Sequence, residues 1–421
     1  MSGLAKYLVS QGKSVSGSDV RANDALYELK ALGIPISIGH DVSAVQGVDA
    51  VVRSSAVSDD DPEILEARRL GIPVFSRGQL LGAITNNFVD LIAVSGTHGK
   101  STVTAMTASA LIGAGVQPFV HVGAQGVDQG DVTSDVAVVE ACEYKGNFLH
   151  LNPSVGVILN VESDHPDCYS DESALLSAFS QFSSRIREGG TLIKPAGLSL
   201  PDQPAKVISV GTDVRAEDVV QSAKGYSFVP VVDGRRWQRV CLGLSGYFNV
   251  TNALFAIAAA SCVGASKEGI VRGLSQYRGL KKRFEHVGRL NGADVIVDYA
   301  HHPTAIRAVL ATARQMTKGH LTVVFQPHTY SRTKALFDEF VSSLLDANAV
   351  IIAREYPARE TPDMGKSAFD LYNALVAKGV RTRYVTSAVE ACEVARRYAY
   401  SGDLVLVLGA GNVGDEFVNY L

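Results

Sequence analysis

The sequence predicts three α/β domains built on mainly parallel sheets, and three observations carry that reading. Short β-rich runs alternate with longer helical stretches almost throughout, the pattern of strand–helix–strand units. A glycine-bearing turn, VSGTHGKST (94–102), stands between an apolar run and a helical stretch, where open sheets gather their ligands. The chain has 421 residues, whereas a single core rarely grows past about 250–300. With 46% apolar residues there is material for several cores.

The first domain is assigned to residues 1–87. SVSGSD (14–19), IPISIG (34–39), VDAVVRSSA (48–56) and IPVFS (72–76) read as strands with helices between them. Met1, Leu4, Ala5, Leu8 and Val9 recur at helical spacing before the first of these strands. A nucleotide-binding βαβ unit begins with a strand and a glycine-rich turn ahead of that helix. Here the chain begins inside the helix, so that strand and loop are missing, while the acid expected at the end of the second strand is present as Asp19. The second domain, 88–282, opens on FVDLIAVSG (88–96) and holds strands at SDVAVVE (134–140) and SVGVILNV (154–161). It closes near RGLKK, which reads as a solvated connection. The third, 283–421, has strands at ADVIVDY (293–299), HLTVVFQ (320–326), AVIIA (349–353) and DLVLVLG (403–409).

Composition removes several function classes. A formal net charge of −4 gives no basic surface for nucleic acid or an acidic membrane. The five cysteines are odd in number and form no CxxC pair, which points to a reduced compartment and to no cysteine zinc site. No signal-peptide pattern is evident at the start, and no apolar run reaches the roughly 20 residues of a membrane span. The expected location is the cytoplasm.

The turn at 94–102 is a phosphate cradle in chemical terms. Gly96 and Gly99 let backbone approach phosphate oxygens, and Thr97, His98 and the following amides lie at a helix N-terminus. Lys100 supplies a charge for the terminal phosphates, and Ser101, with Thr102 beside it, offers a hydroxyl to a magnesium ion. The stricter spacing GxxxxGK[ST] is not met, because Val94 stands where its first glycine would fall. Glu140 closes one strand and His165 follows another in NVESDHPD (160–167). Both sit where strand ends bring ligands together, and a carboxylate and an imidazole suit metal ions held at the phosphates.

These residues, in this order, resemble the Mur ligase family. GTHGKST, the Glu140 strand end and NVESDHPD are similar to its central domain. SGYFNVTNALFAIAAA (245–260) resembles its adenine-binding segment, with Asn249 and Asn252 in matching places, and LKKRFEHVG (280–288) carries Arg283 where the family has a phosphate-contacting arginine. VDYAHHPT (297–304) is similar to the Asp-Tyr-Ala-His-x-Pro signature. FQPHTYSRT (325–333) and EYPARE (355–360) point to the L-alanine-adding branch. GSD (17–19), SSAV (54–57), DPE (61–63) and GIPVFSRGQLL (71–81) resemble the UDP-sugar domain of that branch. The resemblance covers essentially the whole chain. Three departures are visible: the start at MSGLA, which omits the first strand and pyrophosphate loop, Phe248 in place of a common His, and Cys142 in place of a common Asp.

The resemblance implies an N-terminal Rossmann-like domain for UDP-N-acetylmuramate, a central ATPase domain of the phosphate-loop type and a C-terminal Rossmann-like domain for the amino acid. It implies ATP and two magnesium ions, with acyl-phosphate formation followed by attack of L-alanine, in peptidoglycan precursor synthesis. Lys100, Glu140, His165 and Arg283 are the implied catalytic group, with metal at Ser101, Glu140 and His165. ATP is implied at Gly96 to Thr102, Asn249, Asn252, Arg283 and Asp298. Asp19, Ser54 and Ser55 are implied for the UDP-sugar, and Tyr299, His301, His328 and Arg332 for the amino acid, Arg332 by bidentate pairing with its carboxylate. Closure of the C-terminal domain over ATP is expected, as is weak sugar-nucleotide binding by a chain lacking that loop, with ATP binding retained.

Three rival readings remain. GAGNVG (409–414) matches a dinucleotide fingerprint, but only seven residues follow it, so it reads as a glycine turn after the last strand. A regulator that binds nucleotide without ligation would carry the same phosphate loop. A ligase that joins a recycled murein tripeptide to the same UDP-sugar is favoured by HHPTAI (301–306), with FQPHTYSRT leaning back more strongly toward L-alanine.

Overall fold

The strand runs read from the sequence are strands in the computed structural model, which describes residues 1–124, 132–166, 168–201, 206–358, 360–361 and 365–421. The N-terminal part contains α1 (Ser2–Ser10), β1 (Gly17–Asp19), α2 (Asp24–Ala31), β2 (Ile36–Ile38), β3 (Val51–Arg53), α3 (Pro62–Arg69), β4 (Val74–Ser76) and α4 (Arg77–Thr85). Its helices start where the sequence supplies caps. Asn23 accepts from the Leu26 amide, Asp61 precedes Pro62 in the first turn, and Ser76 with Gln79 forms a capping box. The four strands form two separate parallel pairs, β1–β2 and β3–β4, rather than one continuous Rossmann-like sheet. No described strand joins β1 to β3.

The helices α1 and α4 bury their apolar side on the next sheet. Leu4, Leu81, Ile84 and Phe88 share a core with Phe119, Phe148 and Phe179, and the Tyr7 ring lies 4.5 Å from that of Phe119. A β-carbon at Gly82 would stand 2.3 Å from the His150 carbonyl oxygen, so α4 meets the 144–150 turn at backbone contact.

The central part holds β5 (Asp90–Ser95), α5 (Lys100–Gly113), β6 (Phe119–His121), β7 (Val136–Glu140), β8 (Val155–Ile158), α6 (Glu172–Ser184), β9 (Thr191–Pro195), β10 (Lys206–Val210), β11 (Val214–Ser222), β12 (Gly225–Val232), β13 (Arg235–Arg236), β14 (Val240–Leu242), α7 (Phe248–Cys262) and α8 (Lys267–Gln276). The sheet order is β6-β7-β5-β8-β9-β10-β11-β12-β13, with β14 also on β12. It is parallel from β6 to β11, and β11 to β14 pair antiparallel in an extension that the sequence reading did not anticipate. The strand β5 is flanked by β7 and β8, so the loops after all three open at one sheet edge. That places 96–99, Glu140 and the 159–165 loop together. The helices α5, α7 and α8 cover one face, and α6 with α1 and α4 covers the other.

The C-terminal part contains β15 (Glu285–Leu290), β16 (Ala293–Asp298), α9 (Pro303–Met316), β17 (Leu321–Phe325), α10 (Tyr330–Ala335), α11 (Phe337–Leu344), β18 (Ala349–Ala353), α12 (Ala368–Ala377), β19 (Arg381–Val385), α13 (Ala388–Tyr398), β20 (Leu404–Leu408) and α14 (Val413–Tyr420). Its sheet runs β15-β16-β20-β17-β18-β19, parallel except for the β15 edge. GAGNVG forms the turn from β20 into α14, with Gly409 at φ 151°. Among the described residues no helix is long and apolar enough to cross a membrane.

One buried imidazole is expected to make this architecture acid-sensitive. His121, at the end of β6, is 5% exposed, and burial together with Arg77 holds its pKa down to about 3. A folded pKa below the unfolded value of about 6.5 means that the unfolded chain binds the proton first. Its contribution to stability is therefore complete above that value and is lost progressively as pH falls toward 3. His121→Asn is expected to shift the acid-unfolding midpoint to lower pH, measured by circular dichroism. An unshifted midpoint would show that His121 does not govern acid unfolding.

Candidate functional site

The phosphate loop is built by the strand before it and the loop beside it. Ser95 ends β5, and Gly96 (φ 137°) and Gly99 (φ 85°) turn the chain into α5. Neither turn admits a side chain: a β-carbon at Gly96 would lie 2.9 Å from Leu159 Cβ. The loop is tied to the chain after β8. Thr97 Oγ1 donates to the Glu162 carbonyl (3.1 Å) and accepts from the Glu162 amide (2.9 Å). The His98 amide donates to Asn160 Oδ1 (2.8 Å), and Asn160 Nδ2 donates back to the His98 carbonyl (3.2 Å). This bracing fixes the amides before any anion arrives.

Lys100 stands at the first turn of α5. Its ammonium donates to the carbonyls of Gly96 (2.5 Å) and Thr97 (3.2 Å) and lies 2.9 Å from the Glu143 carboxylate. Burial acts most strongly against this charge, but Glu143 together with Cys142 and Glu140 outweighs it and raises the lysine pKa. Burial likewise acts against the Glu143 carboxylate, and Lys100 and His165 hold its pKa below the usual range. Glu143 is 2% exposed and was not picked out from the sequence. The signal was there in the repeated glutamate of EACE, three residues past the strand end.

Ser101 and Glu140 meet as expected. Ser101 Oγ donates to Glu140 Oε2 (2.9 Å), and the Gly123 amide donates to the same oxygen (2.9 Å). Arg283 reaches across from the C-terminal part, with Nη2 3.2 Å from Ser101 Oγ and its guanidinium carbon 4.7 Å from the Tyr299 ring centre. A serine hydroxyl and a carboxylate are hard oxygen donors of the kind magnesium takes. His165, at φ 55°, places Nε2 3.5 Å from Glu143 Oε1, a carboxylate contact the sequence reading did not name.

A cavity of about 400 Å³ joins these groups to the C-terminal part. It is lined by residues 97–102, Glu140, Asn249, Asn252, Arg283, Asp298, Tyr299 and His301, all singled out from sequence. Leu244, Phe248, Phe255, Leu280 and Val309 supply apolar walls. Leu280 is thus buried within the connection that had read as solvated. Tyr277 also lines it, with a buried hydroxyl that has no hydrogen-bond partner among the described groups. Asn249 Nδ2 donates to the Ser245 carbonyl (2.7 Å), and Asn252 Nδ2 donates to Asn249 Oδ1 (3.2 Å). Asp298 accepts from the amides of Phe284 (2.7 Å) and Ala300 (2.6 Å), clasping the connection between the two parts, and burial raises its pKa.

The C-terminal group is gathered but differs from expectation at Arg332. Its guanidinium is 4% exposed and binds Asp164 of the central part, with Nε at 2.8 Å and Nη2 at 2.7 Å from Asp164 Oδ1. The carboxylate that Arg332 pairs with here is the protein's own, a partner the sequence reading did not name. Burial most strongly opposes the Asp164 charge, but Arg332 together with His165 and His301 outweighs it, holding the carboxyl far below the usual range. His301 donates from Nδ1 to the Tyr299 carbonyl (3.0 Å), and its ring lies 5.8 Å from that of His328. Burial and Arg332 push the His301 pKa well down, so the imidazole is neutral.

The sugar-nucleotide candidates stand apart from this cavity. Asp19 accepts from the Arg21 amide (3.1 Å) and Ser54 Oγ from the Ala56 amide (3.3 Å). Ser55 receives Asn147 Nδ2 on its hydroxyl (3.1 Å) and Lys145 Nζ on its carbonyl (3.2 Å), so it faces the central part.

Comparison with known proteins agrees with this construction. Residues 1–89 match the Mur ligase family catalytic domain, 94–260 the Mur ligase middle domain and 282–411 the Mur ligase glutamate ligase domain. A UDP-N-acetylmuramate–L-alanine ligase of Clostridium beijerinckii is 39% identical over 98% of this chain and 93% of its own length. The structure of a UDP-N-acetylmuramate–alanine ligase from Thermotoga maritima superposes with a TM-score of 0.82 at 26% identity, covering 100% of this chain and 96% of that one. A murein peptide ligase from Psychrobacter arcticus shares the fold at 23% identity, with a TM-score of 0.73 over 99% of this chain and 94% of that one. With all three parts matched in order and a relative at this identity over nearly its whole length, the chain belongs to the Mur ligase family of ATP-dependent ligases.

Proposed function

We propose that this chain joins L-alanine to the lactyl carboxylate of UDP-N-acetylmuramate with cleavage of ATP. The observation that carries the reading is the convergence of Lys100, Ser101, Glu140 and Arg283 on one phosphate loop, at a cavity shared with the C-terminal part. An amide cannot form from a carboxylate until one oxygen becomes a leaving group. A carboxylate oxygen attacks the γ-phosphorus and the bond to ADP breaks. The amine then attacks the acyl carbon and inorganic phosphate departs.

In this reading the loop amides and Lys100 hold the triphosphate, and Arg283 faces it from the other side. Ser101 and Glu140 would hold magnesium, which when bound neutralises phosphate charge. His165, with Glu143 at 3.5 Å, would serve a second ion. The apolar walls and the Asn249–Asn252 pair suit a purine, and Asp298 a ribose. His301 is neutral with its proton on Nδ1, so its Nε2 lone pair would accept a hydrogen bond from the amine. Asp19, Ser54 and Ser55 are assigned to the sugar nucleotide, and Tyr299 and His328 with His301 to the amino acid.

Phosphate release is expected only when ATP, magnesium, UDP-N-acetylmuramate and L-alanine are all present. Arg283→Ala is expected to lower kcat about 10²–10³-fold with little change in KM for ATP. Release without amide product, or a preference for a murein tripeptide over L-alanine, would reject the assignment.

A further inference from the structure

Beside the phosphate loop stands a second set of potential ligands that the ligation chemistry above does not use. His98 Nε2, Glu162 Oε2 and His302 Nδ1 all lie within 4.8 Å of one another. His98 Nε2 is 3.5 Å from Glu162 Oε2, and His302 Nδ1 is 3.9 Å from the same oxygen. The His98 and His302 rings are 4.7 Å apart. The three residues come from three places: the phosphate loop, the loop after β8 and the N-cap of α9.

Two features favour a metal over a simple polar cluster. His98 Nε2 is buried and has only the long 3.5 Å contact with the Glu162 carboxylate, short of a well-formed hydrogen bond. His302, 5% exposed, directs Nε2 to the Ser163 carbonyl at 3.1 Å, and a carbonyl only accepts, so the proton sits on Nε2 and the lone pair on Nδ1. A backbone acceptor that fixes the tautomer in this way is the usual partner of a metal-bound histidine. That lone pair accepts a long N-cap bond from the Thr304 amide at 3.4 Å, which an ion would displace, and the Thr304 hydroxyl donates to Glu162. Two imidazoles and one carboxylate select a borderline transition ion, whereas magnesium prefers oxygen alone. In a tetrahedral zinc site the ligand atoms stand about 3.3 Å apart. The observed separations therefore need to close by only tenths of an ångström to about 1.5 Å.

We propose that His98, Glu162 and His302 form a site for one zinc-class divalent ion, with a fourth position open to water or a ligand in the cavity. The ion staples the phosphate loop to the start of α9 and so ties the central part to the C-terminal part.

The test uses the full chain stripped with chelator, then dialysed against zinc in the presence of excess magnesium. About one zinc per chain is expected by metal analysis, with a higher Tm. Cobalt in its place should give the strong visible absorption of a tetrahedral centre. His302→Asn keeps an N-cap acceptor and is expected to fold yet lose the ion and the cobalt spectrum. Glu162→Gln should do the same. Zinc retained equally by both variants, or none retained by the parent chain against magnesium, would overturn the proposal.

Discussion

Replacing Lys100 with methionine is expected to cost this protein both its reaction and part of its stability, and the two losses are separable. The ammonium is 13% exposed and its partner Glu143 is 2% exposed at the side chain. Removing one member of a buried pair leaves the other as an uncompensated charge, at a cost of about 3–5 kcal/mol. Loss of the charge proposed to meet the phosphates is expected to lower kcat by about 10³-fold. Lys100→Met combined with Glu143→Gln removes the stranded carboxylate. The double variant should recover most of the stability in urea unfolding and none of the turnover. Recovery of turnover together with stability would mean that Lys100 acts only as a structural ion-pair partner, and the phosphate role would fall.

The same pair shows what a sequence conveys and what it withholds. The phosphate loop was legible because its parts are contiguous: an apolar strand, two glycines, then Lys100 and Ser101 at a helix start. Glu140 was legible because it ends a strand adjacent to that loop, and the sheet order confirms the adjacency. Glu143 was not, since its importance lies in a contact 43 residues distant along the chain. Glu162 and His302 are a sharper case. Glu162 stands within NVESDHPD and His302 beside His301, with no spacing that links them, and only the meeting of the central and C-terminal parts brings them together. The antiparallel extension from β11 to β14 was missed for another reason. Its strands are partly exposed and carry charges such as Arg215, Glu217 and Asp218, which blur the alternation that marks a strand. In the N-terminal part the strand positions read correctly, yet pairing is a long-range property, and the four strands make two sheets.

Arg332 carries the other large expected effect, because its salt bridge with Asp164 spans two parts of the chain. The pair is almost fully desolvated, with side-chain exposures of 5% and 6%. Breaking it from either side should cost about 3–5 kcal/mol, most of it the penalty of an unpaired buried charge. The ion pair also sets an acid limit. The Asp164 pKa is depressed, so its contribution is present above the ordinary carboxylate range and is lost only as pH falls below it. The contact is therefore insensitive to pH near neutrality. If this bridge holds the C-terminal part against the central sheet, Asp164→Asn and Arg332→Ala should have matching consequences: lower kcat, and a larger radius of gyration in solution scattering with an ATP analogue bound. Their effects should be strongly non-additive in a double-mutant cycle, since each variant breaks the same interaction. A different pattern would return Arg332 to the amino-acid pocket. Arg332→Ala would then raise KM for L-alanine alone, while Asp164→Asn would leave scattering and kcat unchanged.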